Sequence, residues 1–70
     1  MYENIAYKNL LIRDRRIAMG LSQEELGRRM GYTSGSAVSQ YETGARNPKI
    51  ETLEKIAKAL NIELGELINP

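Results

Sequence analysis

The breaks in this chain are closely spaced. Gly20, Gly31, Gly35, Gly44, Pro48, Asn61 and Gly65 interrupt it at short intervals. Between them the apolar residues step by three and four, and no strand-like alternation is convincing. A chain divided in this way has room for several short helices joined by tight turns. Five such segments fit, which predicts an all-α bundle of five helices. Seventy residues make one domain, residues 1–70, near the lower limit for a single hydrophobic core. A core of this size rarely supplies more than roughly 3–5 kcal/mol. Burial of further apolar surface against a second copy is therefore an expectation from size alone.

The first helix is expected from about Glu3 to Met19, with Ile5, Ile12, Arg16 and Met19 on one face and Gly20 as its C-terminal cap. Residues 1–8 would extend it at the N-terminus. The second opens at Ser22, where Ser22-Gln23-Glu24-Glu25 has the form of a capping box. Leu26 and Met30 turn inward, and Gly31 ends it. The third takes Thr33 or Ser34 as N-cap and carries Val38 and Tyr41 inward up to Gly44. The fourth is the clearest amphipath, with Ile50, Leu53, Ile56, Ala57 and Leu60 on one stripe and Asn61 as a left-handed cap. The last runs from about Glu63 to Ile68.

Several kinds of chemistry are closed to this chain. It has no cysteine and no histidine, which removes disulfides, the usual zinc ligands and the commonest general base. No apolar run approaches a membrane span or a signal-peptide core, so a cytoplasmic protein is expected. No catalytic constellation stands out; neither an enzyme nor a cofactor nor a metal is expected. The net charge is only +1. Arg13, Arg15, Arg16, Arg28 and Arg29 form a basic stretch, whereas Glu51 to Glu66 leans acidic, so a local basic face is compatible with a neutral whole.

The second and third helices are short and separated by a glycine-started turn. A helix-turn-helix needs that arrangement: the first helix of the pair crosses the DNA backbone and the second enters the major groove by its N-terminal end. Val38 and Tyr41 would form the inner side of the second, and Ser36, Ser39 and Gln40 the outer. The run Gly20-Leu21-Ser22-Gln23-Glu24-Glu25-Leu26, then Gly31, then Val38-Ser39-Gln40-Tyr41-Glu42-Thr43-Gly44, then Arg46-Asn47-Pro48 and Ile50-Glu51-Thr52-Leu53, closely resembles the phage-repressor-like (Xre/Cro) helix-turn-helix family. Ile56-Ala57-Lys58-Ala59-Leu60 follows in the same style. The match spans about Ile12 to Ile68. It implies a lambda-repressor-like five-helix domain that binds double-stranded operator DNA as a homodimer and regulates transcription.

The resemblance assigns roles residue by residue. Arg16 and Glu42 lie on inner faces, where either alone would be costly to bury; the family pattern makes them a semi-buried ion pair. Counted back from Val38, Ser34 matches the N-cap, and the base-reading positions become Gly35, Ser36 and Gln40, with Ser39 adding a contact. Gln40 is the strongest reader, because glutamine bonds bidentately to adenine. Gly35 has no side chain but permits close backbone approach. Phosphate contacts fall on Ser22, Gln23, Ser34, Arg46 and Asn47, which position the domain without reading sequence. Leu64, Leu67 and Ile68 are the matching dimer-interface residues, with packing inside one chain as the alternative. Gly31-Tyr32-Thr33-Ser34 makes the turn one residue longer than the family's usual one. A protein-interaction module on the same fold, such as an antitoxin subunit, is the rival reading.

Overall fold

The computed structural model describes residues 10–68. It contains four α-helices: α1, Ile12–Ala18; α2, Gln23–Arg29; α3, Ser36–Thr43; and α4, Ile50–Ala59. A 3₁₀ turn, Leu64–Leu67, follows. Apart from a lone antiparallel bridge between Leu10 and Ile68, regular structure in the described residues is helical.

Each element gives one apolar stripe to a single core. Ile12 comes from α1, Leu26 from α2, Val38 and Tyr41 from α3, Leu53, Ile56 and Ala57 from α4, and Leu67 from the 3₁₀ turn; Met30 and Leu60 join just beyond their helices. A fully buried Leu, Ile or Val contributes about 1.5–3 kcal/mol over leaving it exposed, and the three- and four-residue steps along α4 place its apolar residues on one side. The helices give way to left-handed residues, Gly20, Gly31, Gly44 and Asn61, with φ of 72°, 92°, 85° and 59°. That conformation satisfies late helical carbonyls and turns the chain sharply, which is how such short helices fold back on one another.

The two ends depart from the helical reading. Leu10 and Leu11 are not helical. The part of the first helix expected before them, with the N-terminal extension and Ile5, lies outside the described residues. Nor does Met19 turn inward; it follows α1 and is exposed with Ile17. The expected fifth helix is only the 3₁₀ turn, and Ile68 beyond it is extended. One cause accounts for both ends. The Leu11 N–H donates to the Leu67 carbonyl, and Leu10 pairs with Ile68, so backbone groups that helices would use are spent between the ends. Leu67 is fully buried in its own chain, and it therefore offers no surface to a second copy; its place among the dimer-interface residues is corrected. Leu64 and Ile68 stay partly exposed.

Candidate nucleic-acid interface

The second helix starts on its capping box. Ser22 Oγ accepts from the Glu25 N–H at 3.0 Å, and the Glu25 carboxylate accepts from the Ser22 N–H at 2.7 Å. The Ser22 amide, expected to meet a phosphate, is thereby committed to the cap. The same bonds, backbone first and hydroxyl second, hold the Glu25 carboxyl below its ordinary value against the opposing effect of burial, and the Arg28 and Arg29 charges add to the lowering. A depressed carboxyl stabilises the fold above the ordinary carboxylate range, and this contribution is lost as pH falls through the lowered value. Ser22→Ala should cost about 1 kcal/mol at neutral pH. In urea melts the gap from wild type should narrow on acidification; a gap independent of pH would contradict the cap's dependence on Glu25.

Two glycines set how closely α2 meets α3. A Cβ on Gly35 would lie 2.7 Å from both the Gln23 carbonyl carbon and the Glu24 nitrogen, and one on Gly27 would run into the Ser34 carbonyl oxygen. The close approach that Gly35 permits is thus to the start of α2. The residue itself is half-buried, and it is the direction a Cβ would take that faces α2. The third helix also begins later than either expected cap, Thr33 or Ser34: Gly35 is its N-cap and makes no side-chain cap. The Ser34 hydroxyl instead accepts from the Ser36 N–H at 3.3 Å.

Behind α3 lies a polar cluster. Arg16 donates from Nε to Glu42 Oε2 at 2.6 Å and from the guanidinium to Oε1 at 3.2 Å, and its third bond goes to the Leu21 carbonyl at 2.7 Å. The side chains are 12% and 3% exposed. Gln23 Nε2 also donates to Glu42 Oε1, at 3.0 Å. Gln23, expected at a phosphate, therefore directs part of its amide inward. The carboxylate ties α1, the start of α2 and α3 together, and each of its oxygens is hydrogen-bonded.

The outer side of α3 presents Ser36, exposed, with Ser39 and Gln40 half-buried. Tyr32, Thr33, Ser34, Ser36, Gln40 and Arg46 line one open groove beside it. The groove gathers two predicted base readers, Ser36 and Gln40, with two predicted phosphate ligands, Ser34 and Arg46. Ser39, Ser22, Gln23 and Asn47 lie outside it. The Arg46 N–H donates to the Gln40 carbonyl at 3.2 Å, which folds the loop after α3 back onto that helix. Tyr32 and Thr33 were not among the expected contacts; the lengthened turn was their only signal in the sequence. Most of the basic stretch has intrachain partners: Arg15 meets the Glu66 carbonyl, Arg16 meets Glu42, Arg28 pairs with Glu24 at 3.0 Å, and Arg29 meets the Ala59 carbonyl. Arg46 is the cation in the groove lining. Among the described residues no cluster of His, Cys, Asp and Glu could hold a metal, and no helix is long and apolar enough to cross a membrane.

The sequence and the fold resemble those of known proteins. A helix-turn-helix family model matches residues 12–67. A transcriptional repressor of the cryptic phage CTXphi from Vibrio cholerae, RstR, is 38% identical over 58 residues, covering 83% of this chain and 51% of the relative. An uncharacterised helix-turn-helix-type transcriptional regulator of Sinorhizobium fredii is 43% identical over 51 residues, 73% of this chain and 65% of the relative. The chain thus spans about half the length of the first and under two-thirds of the second. Among solved structures, the restriction-modification controller protein C.AhdI of Aeromonas hydrophila superposes with a TM-score of 0.79 at 38% identity, over 90% of this chain and 94% of that one. A hypothetical transcription factor from Neisseria, NHTF, gives 0.80 at 34%, over 93% and 74%.

Proposed function

The chain belongs to the phage-repressor-like helix-turn-helix family, and from that premise we propose that it binds double-stranded DNA sequence-specifically as a homodimer and regulates transcription as a repressor. The observation that carries the reading is the two-sidedness of α3. Val38 and Tyr41 are buried against the core, while Ser36, Gln40 and Arg46 share an open groove on the other side. Relatives named as a phage repressor, a transcriptional regulator and a restriction-modification controller support it.

In this reading Gln40 reads a base edge, and Ser36 and Ser39 make less selective contacts. Ser34, Arg46 and Asn47 hold phosphates, and the part of the Gln23 amide not used by Glu42 adds another. Two copies pair through Leu64 and Ile68. Leu64 shares a shallow groove with Ala57 and Ile62. The two recognition helices of a dimer would sit about 34–36 Å apart, one turn of DNA.

Selection of bound fragments from random DNA tests the proposal, with sedimentation to establish the number of copies. A palindromic consensus and salt-sensitive affinity are expected. A dimer with no salt-sensitive binding to any fragment would overturn the DNA reading in favour of a protein partner. On the selected site, Gln40→Ala should lose about 1–3 kcal/mol of discrimination at one base position. Arg46→Ala should weaken all sequences alike and lower the salt slope by about one. Uniform losses from both substitutions would remove Gln40 as a reader.

A further inference from the structure

Gln23 stands where the start of α2 meets the start of α3. Its backbone runs against Gly35, the N-cap of α3, where a Cβ would lie 2.7 Å from the Gln23 carbonyl carbon. The N-terminal end of a recognition helix is the end that enters the major groove, so a side chain beside it is placed to meet the DNA backbone flanking that groove. Gln23 is half-buried, and part of its amide is committed: Nε2 donates to Glu42 Oε1 at 3.0 Å. Glu42 is itself fixed. Its side chain is 3% exposed, and Arg16 bonds Oε2 at 2.6 Å and Oε1 at 3.2 Å. An ionised carboxylate only accepts, so the nitrogen of the Gln23 amide, not its oxygen, must lie on Glu42. That nitrogen carries two protons and Glu42 takes one; among the described residues the other has no acceptor. A surface glutamine ordinarily loses rotamer freedom when it closes on a ligand, and a neighbour that fixes it in advance strengthens binding. Arg16 balances the carboxylate charge, so the anchor does not repel a phosphate.

We propose that Glu42 is a positioning residue for DNA binding: held by Arg16, it fixes the Gln23 amide so that its second N–H donates to a backbone phosphate beside the N-terminal end of α3. The inference rests on the DNA-binding reading and deepens it. The buried pair then joins α1 to α3 and also sets the polarity of a contact at the surface.

The test is affinity for a fragment selected by the wild-type protein, with urea midpoints giving the folded fraction of each variant. Gln23→Met keeps the side-chain length and removes the amide, while Glu42 Oε1 retains its guanidinium bond. Binding should weaken about tenfold, in the range of one hydrogen bond to a charged group. The salt slope should stay as in wild type, because a neutral side chain releases no counterion. Glu42→Gln removes the charge that orients the amide; Arg16→Met with Glu42→Leu removes the anchor outright and supplies the comparison if Glu42→Gln does not fold. In either background Gln23→Met should add less than about twofold, because the residues act as one unit. Methylphosphonate placed at single phosphates should find one position that costs wild type about tenfold and Gln23→Met less than about twofold. Equal losses from Gln23→Met in every background, no loss in any, or no such phosphate would overturn the proposal while leaving DNA binding intact. Failure of the wild-type protein to bind any fragment would overturn both, and the wild-type titration alone reveals that case.

Discussion

Glu42→Ala should remove a large share of the chain's folding stability at 25 °C. The Glu42 carboxylate is almost wholly buried and accepts bonds from Arg16 and from Gln23. Its removal strands a largely buried guanidinium and an amide together, and breaking one partner of a buried pair costs about 3–5 kcal/mol. At about 0.05–0.15 kcal/mol per residue, total stability in a chain of this length is of similar size. Urea titration followed by helical circular dichroism measures the loss. Replacing the pair together, as Arg16→Met with Glu42→Leu, should recover much of it, because apolar residues of similar volume commonly substitute for a buried ion pair. A drop below about 1 kcal/mol for Glu42→Ala would instead mean that the pair behaves as a solvated surface contact.

Gly27→Ala should destabilise, although the ordinary expectation is the reverse. Within a helix, alanine is favoured over glycine by about 1 kcal/mol. Here the added methyl would meet the Ser34 carbonyl oxygen, and backbone cannot step aside as a flexible side chain does. Overpacking typically costs about 1–3 kcal/mol and occasionally more, so a net loss of about 2 kcal/mol is expected. Affinity for DNA should fall further than stability alone predicts, because the turn that carries Ser34 and Gly35 would shift. Gly65→Ala is the control: a methyl there meets nothing, and little change should follow. A midpoint for Gly27→Ala at or above wild type would mean that α2 and the turn have slack.

These two predictions mark the boundary of what local pattern conveys. The α4 stripe was legible because its residues repeat at helical spacing over ten positions. The α2 start was legible because a capping box is contained in four residues. Val38 and Tyr41 were enough to orient α3. Gly27, in contrast, reads locally as a weak helical position. Its reason is clearance from a carbonyl seven residues away in sequence, which only the assembled turn defines. Gly35 was read as leaving room for DNA, and its lack of a side chain also makes room for the start of α2. Gln23 looked like a free surface amide until α3 brought Glu42 alongside. The ends were least legible: Leu10 and Ile68 carry no turn signal between them, and their pairing is set by tertiary closure rather than by neighbours in the chain.

That closure has a mechanical meaning. The described chain enters and leaves through the same spot, joined there by one bridge and the bond from Leu11 to Leu67. Any tension transmitted through the two ends would peel these few bonds apart in series before it loaded the helices. The groove beside α3 is thereby insulated from pulling by whatever is tethered at either end, up to the force at which the clasp opens.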